Sequence, residues 1–149
     1  MREQISEQLK TAMKAGDKPR VATLRMIQAR LKDIDIEARG AGKEVGDADI
    51  LAALQKMIKS RQESADIYAK NDRPELAEQE NGEIAVISEF LPKQMSEDEV
   101  AAAIKAAIAD TGAASMKDMG KVIGALKGKY TGQMDFGKAS ASVKAALSG

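Results

Sequence analysis

Apolar residues in this chain recur mainly every three or four positions, and alternation at every second one is confined to short runs such as Asp33–Glu37 and Lys138–Lys144. Few other features constrain a fold so tightly. A strand half buried in a sheet needs a period of two, whereas a spacing of three to four gathers side chains on one face of a helix. Composition points the same way. The aromatics are Tyr68, Phe90, Tyr130 and Phe136 alone, so any interior must come from Leu, Ile, Val, Ala and eight methionines, a mixture that favours helix over sheet. The predicted class is all-α, with no sheet.

Punctuation residues divide the pattern into seven helices. The first spans Arg2–Ala15 with Ile5, Leu9 and Met13 inward, and Gly16 ends it. Asp17 caps the second, Pro19 sits in its first turn, and Leu24, Ile27, Leu31 and Ile34 form its stripe as far as about Arg39. Gly40 to Gly46 has no periodicity and reads as a loop. Asp47 caps a long third helix ending near Asn71, with Leu51, Leu54, Ile58, Ala65 and Tyr68 inward. Asp72 with Glu75 reads as a capping box opening the fourth, whose stripe is Leu76, Ile84, Ile87 and Leu91. Ser96 with Glu99 opens the fifth, Glu97–Asp110, which faces Val100, Ile104, Ala107 and Ile108 inward and stops at Thr111-Gly112. Ser115 with Asp118 opens the sixth, Ser115–Leu126. A turn over Gly128–Gly132 follows, and Asp135 caps the last helix, carrying Phe136, Val143 and Leu147. Pro92 falls between four longer helices and three shorter ones. Two domains are expected: an N-terminal bundle of about four helices, residues 1–92, and a small three-helix domain, residues 93–149.

Two charges interrupt apolar stripes. Arg61 stands in the stripe of the third helix and Glu80 in that of the fourth. The expectation is a desolvated Arg61–Glu80 ion pair between the helices. The alternative is that each charge leans out to water along its aliphatic stem.

The absent residue types exclude whole chemistries. With no cysteine there is no disulfide, thiolate zinc site or thiol nucleophile; with no histidine there is no Ser-His-Asp arrangement. The acidic groups offer little in their place. Asp33 and Asp35 lie two apart on a helix and do not face each other. Glu97, Asp98 and Glu99 suit a helix start. Gly120-Lys121-Val122-Ile123 lacks the rest of a phosphate loop. No catalytic residue, metal or cofactor is expected. No apolar run reaches the ~20 residues of a membrane span, and a cytosolic protein is expected.

Charge is zero overall but uneven. Residues through Pro92 carry 15 basic and 17 acidic side chains, and every arginine lies there; from Thr111 on there are six lysines against Asp118 and Asp135. The sixth helix concentrates this tail charge. Met116, Met119, Val122, Ile123 and Leu126 form its core stripe, Gly120 and Gly124 a bare edge beside it, and Lys117, Lys121 and Lys127 flank that edge. Each glycine costs a helix about 1 kcal/mol relative to alanine. Close packing of a second helix is the commoner use of such spacing. The other use is close approach by a phosphate backbone or an acidic surface.

Glu78–Ala106 (EQENGEIAVISEFLPKQMSEDEVAAAIKA) and Ser115–Leu126 (SMKDMGKVIGAL), followed by a turn, glycine and lysine before a short helix, resemble the GatB/YqeY family. KPRVATLRMIQARLKDIDIEA and LQKMIKSRQESADIYAK, earlier in the chain, resemble its stand-alone YqeY members. The resemblance spans essentially the whole chain, with EFLPKQMSEDE and SMKDMGKVIGAL its specific parts. It implies that the second half is similar to the helical tail of the GatB subunit of aspartyl/glutamyl-tRNA amidotransferase. That tail contacts the tRNA body, while the catalytic cradle of the subunit has no counterpart here. Met119, Gly120, Lys121, Val122 and Gly124 match the tail motif, and Lys117 and Lys127 match its basic character. Where the family tends to read Gly-Arg-Ala-Asp-Gly-Lys, this chain reads Gly132-Gln133-Met134-Asp135-Phe136-Gly137-Lys138. It therefore lacks an arginine fork for phosphate at that turn.

The expected function is a non-catalytic tRNA- or RNA-associated module, with Lys117, Lys121, Lys127, Lys129 and Lys138 as phosphate contacts around Gly120 and Gly124. Lysine contacts of this kind bind weakly and with marked salt dependence. The alternative is a protein adapter for the tRNA-amidation or translation machinery. The family label, carbon–nitrogen ligase with glutamine as amido-N-donor, is inherited from catalytic relatives.

Overall fold

A computed structural model describes residues 1–148. Among them there are seven α-helices, one 3-10 turn and no strand, as the apolar period requires. Contacts divide the chain into two compact units, Met1–Pro92 and Lys93–Gly149.

The first unit comprises α1 (Arg2–Ala15), α2 (Lys18–Gly40), α3 (Asp47–Lys70) and α4 (Pro74–Ser88). Its core is a seam of Ile5, Ala12, Leu24, Ile27, Leu31, Ile50, Leu54, Ile87 and Phe90. Burying each large aliphatic side chain there contributes about 1.5–3 kcal/mol. Gly16 ends α1 in the left-handed conformation, at φ 69°. The Asp17 carboxylate then accepts the Arg20 backbone N–H at 3.3 Å to open α2, as expected.

Several local expectations are corrected. Gly46, not Asp47, is the N-cap of α3, and Asp49 accepts the Gly46 N–H at 2.9 Å. Asp72 does not cap α4. It adopts φ 57°, and the next residue, Arg73, donates its N–H to the Tyr68 carbonyl at 2.8 Å. That is the closing bond of a left-handed C-terminal cap, so Asp72 ends α3, and α4 starts at Pro74 behind Arg73. Met13 is 53% exposed and Leu76 36% exposed. The inward positions they were expected to hold belong to Ala12 and Ala77, each next to them in the chain. Both misplaced residues sit in terminal turns of their helices, where fewer neighbours are available.

Three arginines clamp the helices of this unit in pairs. Arg2 grips Asp35 through its two terminal guanidinium nitrogens, Nη2 at 2.6 Å and Nη1 at 3.0 Å, joining α1 to α2. Arg20 forks onto Glu89, at 2.6 and 3.3 Å, and donates to Gln8 at 2.8 Å. Arg61 Nε donates to Glu83 Oε2 at 2.9 Å, joining α3 to α4, with both side chains 16% exposed. The partner of Arg61 is therefore Glu83 and not Glu80. The partly buried guanidinium also donates to the Met57 carbonyl at 3.1 Å and lies 3.4 Å from the Met26 sulfur. Glu83 is nearest where α3 and α4 pack; Glu80 lies three residues earlier on α4 and is half-buried. The stripe pattern located the charged interruption but not the register of the two helices.

The second unit contains α5 (Glu97–Thr111), a 3-10 turn (Met116–Asp118), α6 (Met119–Tyr130) and α7 (Phe136–Ser148). The capping box is present: Ser96 Oγ accepts the Glu99 N–H at 3.2 Å and Glu99 accepts the Ser96 N–H at 3.3 Å. Gly112 ends α5 at φ 67°, and Asp135 accepts the Gly137 N–H at 2.9 Å at the start of α7. The core gathers Ala103, Ile104, Ala107, Val122, Leu126, Met134, Ala139 and Val143.

Removing the Arg61 partner leaves a guanidinium short of its acceptor in a partly dry place. Glu83→Gln is expected to lower unfolding free energy by about 1–3 kcal/mol in urea titrations, and Glu80→Gln by less than about 0.5 kcal/mol, in the range of surface changes.

Candidate nucleic-acid interface on α6

The sixth helix differs at both ends from its expected bounds. Residues Met116–Asp118 form a 3-10 turn, and the α-helix proper runs from Met119 through Tyr130. Ser115 makes no side-chain cap bond, whereas Asp118 Oδ2 accepts the Ala114 N–H at 3.0 Å. This tight turn carries Met116 outward to 39% exposure, so Met116 leaves the core stripe. At the other end the half-buried Tyr130 packs against the core, and helix continues through Gly128, where a turn was expected. The turn comes later. Gly132 adopts φ 77°, its carbonyl accepts Gln94 Nε2 at 2.7 Å, and the Gln133 carbonyl accepts the Met95 N–H at 2.9 Å. The segment ahead of α5 thus pins the α6–α7 connection. Phe136, the residue extra to the family pattern, packs against the core.

Val122 and Leu126 are fully buried, and Met119 and Ile123 pack beside them. That orientation turns Gly120, Gly124 and Gly128 outward, all three exposed. A Cβ built on any of them would meet nothing within 4 Å outside its own helix backbone. The glycines therefore do not serve close helix packing within this unit.

The lysines divide into groups. Lys117, Lys121 and Lys127 are exposed. At 3.6 residues per turn Lys121 and Lys127 flank the glycine line on the outer side of α6, and Lys117 precedes it on the 3-10 turn. No carboxylate lies within ion-pair distance of Lys117 or Lys127 among the described residues. Lys129 falls about 140° around the helix from Gly124, with its Nζ 5.8 Å from the centre of the Tyr130 ring. It does not join the glycine face. Lys138 is exposed in the first turn of α7, a helix that packs on α6 and on the 3-10 turn.

Asp118 is the nearby acid. The Ala114 N–H that it accepts holds its carboxyl below the usual aspartate range, assisted by the Ser115 N–H and the charge of Lys121 and opposed by a smaller desolvation effect. Among the described residues no three acidic side chains gather to hold a metal ion, and no helix is long and apolar enough to cross a membrane.

The described residues form two helical units, the second carrying an open, lysine-flanked glycine face. A model of the YqeY-like protein family matches residues 2–147, and the chain belongs to that family. It is 30% identical over 92 residues to an uncharacterised protein of Schizosaccharomyces pombe, covering 62% of this chain and 72% of that one. It is 32% identical over 87 residues to altered inheritance of mitochondria protein 41 of Lachancea thermotolerans, covering 58% of this chain and 46% of that one. The protein of the same name from Pyrenophora tritici-repentis is 28% identical over 131 residues, 84% of this chain and 70% of its own length. The chain thus spans about half of the Lachancea protein, and the mitochondrial names are those of the relatives.

Two outcomes are expected. Because Gly120 and Gly124 face open space, the double change Gly120→Ala/Gly124→Ala should raise unfolding free energy by about 1–2 kcal/mol through helix propensity, measured by chemical denaturation. A fall in stability would show a packing role. For Asp118, a pKa held lower in the folded state contributes stability above the unfolded pKa and loses it as pH falls through the folded one. Asp118→Asn should therefore flatten the acid limb of the stability profile below the ordinary aspartate range and leave its shape above neutrality unchanged.

Proposed function

We propose that this protein is a non-catalytic RNA-associated module whose α6 face meets the phosphate backbone of tRNA or a similar folded RNA. The observation that carries this reading is the line Gly120, Gly124 and Gly128, exposed with nothing within 4 Å of a built Cβ. Three glycines in one helix lose stability that alanine would retain, and no contact inside the unit uses them. A bare backbone edge lets a sugar–phosphate strand come close, and Lys117, Lys121 and Lys127 stand beside it to neutralise charge. Lys138 is a further contact in this reading.

Lysines on a helix face without arginine or aromatic neighbours position a backbone and do not read bases. Sequence-tolerant binding follows. The resemblance of the second half to the tail of the tRNA amidotransferase subunit favours tRNA as the RNA bound, and the carbon–nitrogen ligase label describes catalytic relatives. A second reading, an adapter docking on a tRNA-handling protein, draws on the exposed Met116, since methionine adapts to irregular partner surfaces.

Bulk tRNA binding should weaken as salt rises. Lys117→Gln/Lys121→Gln/Lys127→Gln should reduce affinity at least ~10-fold at low salt and lower the slope of log affinity against log salt by ~2–3. Gly120→Ala/Gly124→Ala should also weaken binding while stabilising the fold. Unchanged tRNA binding in both variants would favour the adapter.

A further inference from the structure

The first unit is near neutral in total, which conceals a strongly basic segment. Residues 10–32 hold seven Lys and Arg against one acid, Asp17. Two of the seven are engaged: Arg20 is held by Glu89 and Arg30 lies 3.9 Å from Glu37. The other five, Lys10, Lys14, Lys18, Arg25 and Lys32, are exposed, and none has a carboxylate at ion-pair distance among the described residues. The Asp17 carboxylate is turned to the Arg20 backbone N–H. Asp33 is an exposed acid to one side.

Lys18, Arg25 and Lys32 are seven residues apart on α2 and so lie nearly in line, about 21 Å from first to last at 1.5 Å per residue. Ala22 and Ala29 fall between them on the same line, and all five are exposed. The line runs opposite the buried Leu24, Ile27 and Leu31. At its start lies a shallow depression lined by Met13, Gly16, Lys18, Val21, Ala22 and Arg25. The strip is therefore linear, cationic and low in relief.

We propose that this outward face of α2 is a second RNA-backbone contact, separate from α6. A cationic line over about 21 Å matches a strand that presents successive phosphates every ~3.4 Å along its axis. The alanines let that strand lie against the helix, and Arg25 supplies the bidentate fork that α6 lacks. A lipid surface fits less well, because the line between the cations carries alanine where membrane-seeking helices carry large apolar groups. An acidic protein fits less well, because the strip lacks the aromatic anchors that dominate protein interfaces. The inference rests on the reading of the protein as RNA-associated but uses residues that reading does not need.

The test measures binding of bulk tRNA to the 149-residue chain between 50 and 200 mM salt, a range over which phosphate contacts change affinity strongly (roughly 10³–10⁵-fold for six to ten contacts). Four proteins are compared: the parent, Lys18→Gln/Arg25→Gln/Lys32→Gln, the α6 triple variant, and Lys43→Gln/Lys56→Gln/Lys70→Gln, which removes equal charge from other exposed positions. Since the α2 residues are exposed, unfolding curves should match the parent. The expected result is at least a ~10-fold loss for the α2 variant, a salt slope lower by ~3, and little change for the charge control. Equal loss in the charge control would overturn the proposal, because the effect would be diffuse charge. Parent-like tRNA binding by the α2 variant would also overturn it; if the α6 variant then loses binding, the α6 reading stands alone. Loss in the α2 variant without loss in the α6 variant supports this face and removes the other. No tRNA binding by the parent at 50 mM salt overturns both.

Discussion

Both units are held by a thin aliphatic seam, and their other features are arranged around it. With four aromatic side chains in the chain, rings fill little of the space between helices: Phe90 lies in the first unit's core, and Tyr130 and Phe136 pack against the edge of the second. Burial comes from one stripe per helix, such as Leu24, Ile27 and Leu31 on α2 or Val122 and Leu126 on α6. A narrow stripe leaves most of each helix surface outside the core. Glycines on α6 and cations on α2 can therefore occupy outward faces without loss of packing. The same economy makes the seam sensitive. A change from leucine to alanine at a site such as Leu24 falls among substitutions that cost about 2–5 kcal/mol.

Because the seam is thin, polar clamps set how the helices of the first unit meet. Arg2–Asp35, Arg20–Glu89 and Arg61–Glu83 each join different helices or their ends. Arginine suits this task, since its planar fork matches a carboxylate through two bonds. The hydrogen bond that Arg20 donates to Glu89 outweighs desolvation and holds the guanidinium pKa above its ordinary value. The two more exposed clamps contribute little individually; their effect is to favour one helix register over others. The second unit has no arginine. Hydrogen bonds from Gln94 and Met95 to the α6–α7 turn do comparable work there.

On α6, the core stripe and the open glycines share one helix 12 residues long. Burying Val122 and Leu126 fixes the rotation of that helix, and the rotation decides which of the flanking residues reach water. Lys121 and Lys127 come out beside the glycines, whereas Lys129 comes out on the far side beside Tyr130. The candidate surface is thus a by-product of core packing, and substitutions that rotate α6 would alter it without touching a lysine.

Helix class, the Gly16 and Gly112 stops, and the Asp17, Ser96 and Asp135 caps were legible in the sequence, because each is a local matter of period and backbone hydrogen bonding over a few residues. The seven-residue spacing of Lys18, Arg25 and Lys32 is local to α2, but that all three lie exposed without a carboxylate beside them depends on the fold. Other features depended on tertiary structure. Whether Arg61 meets Glu80 or Glu83 depends on how far α4 slides along α3, and a repeat of three to four residues is compatible with either position. Asp72 could cap the next helix or end the previous one; the choice follows from the tight return of the chain between two helices packed along each other. Gly120 and Gly124 could serve packing or lie open, since spacing places them on one edge and says nothing of what covers it. The sequence by itself determined the helical class, the number of helices and the middle of each apolar stripe, because these depend on near neighbours along the chain. Only the tertiary structure decided partners, register and exposure, because these depend on which residues distant in sequence come within a few ångströms.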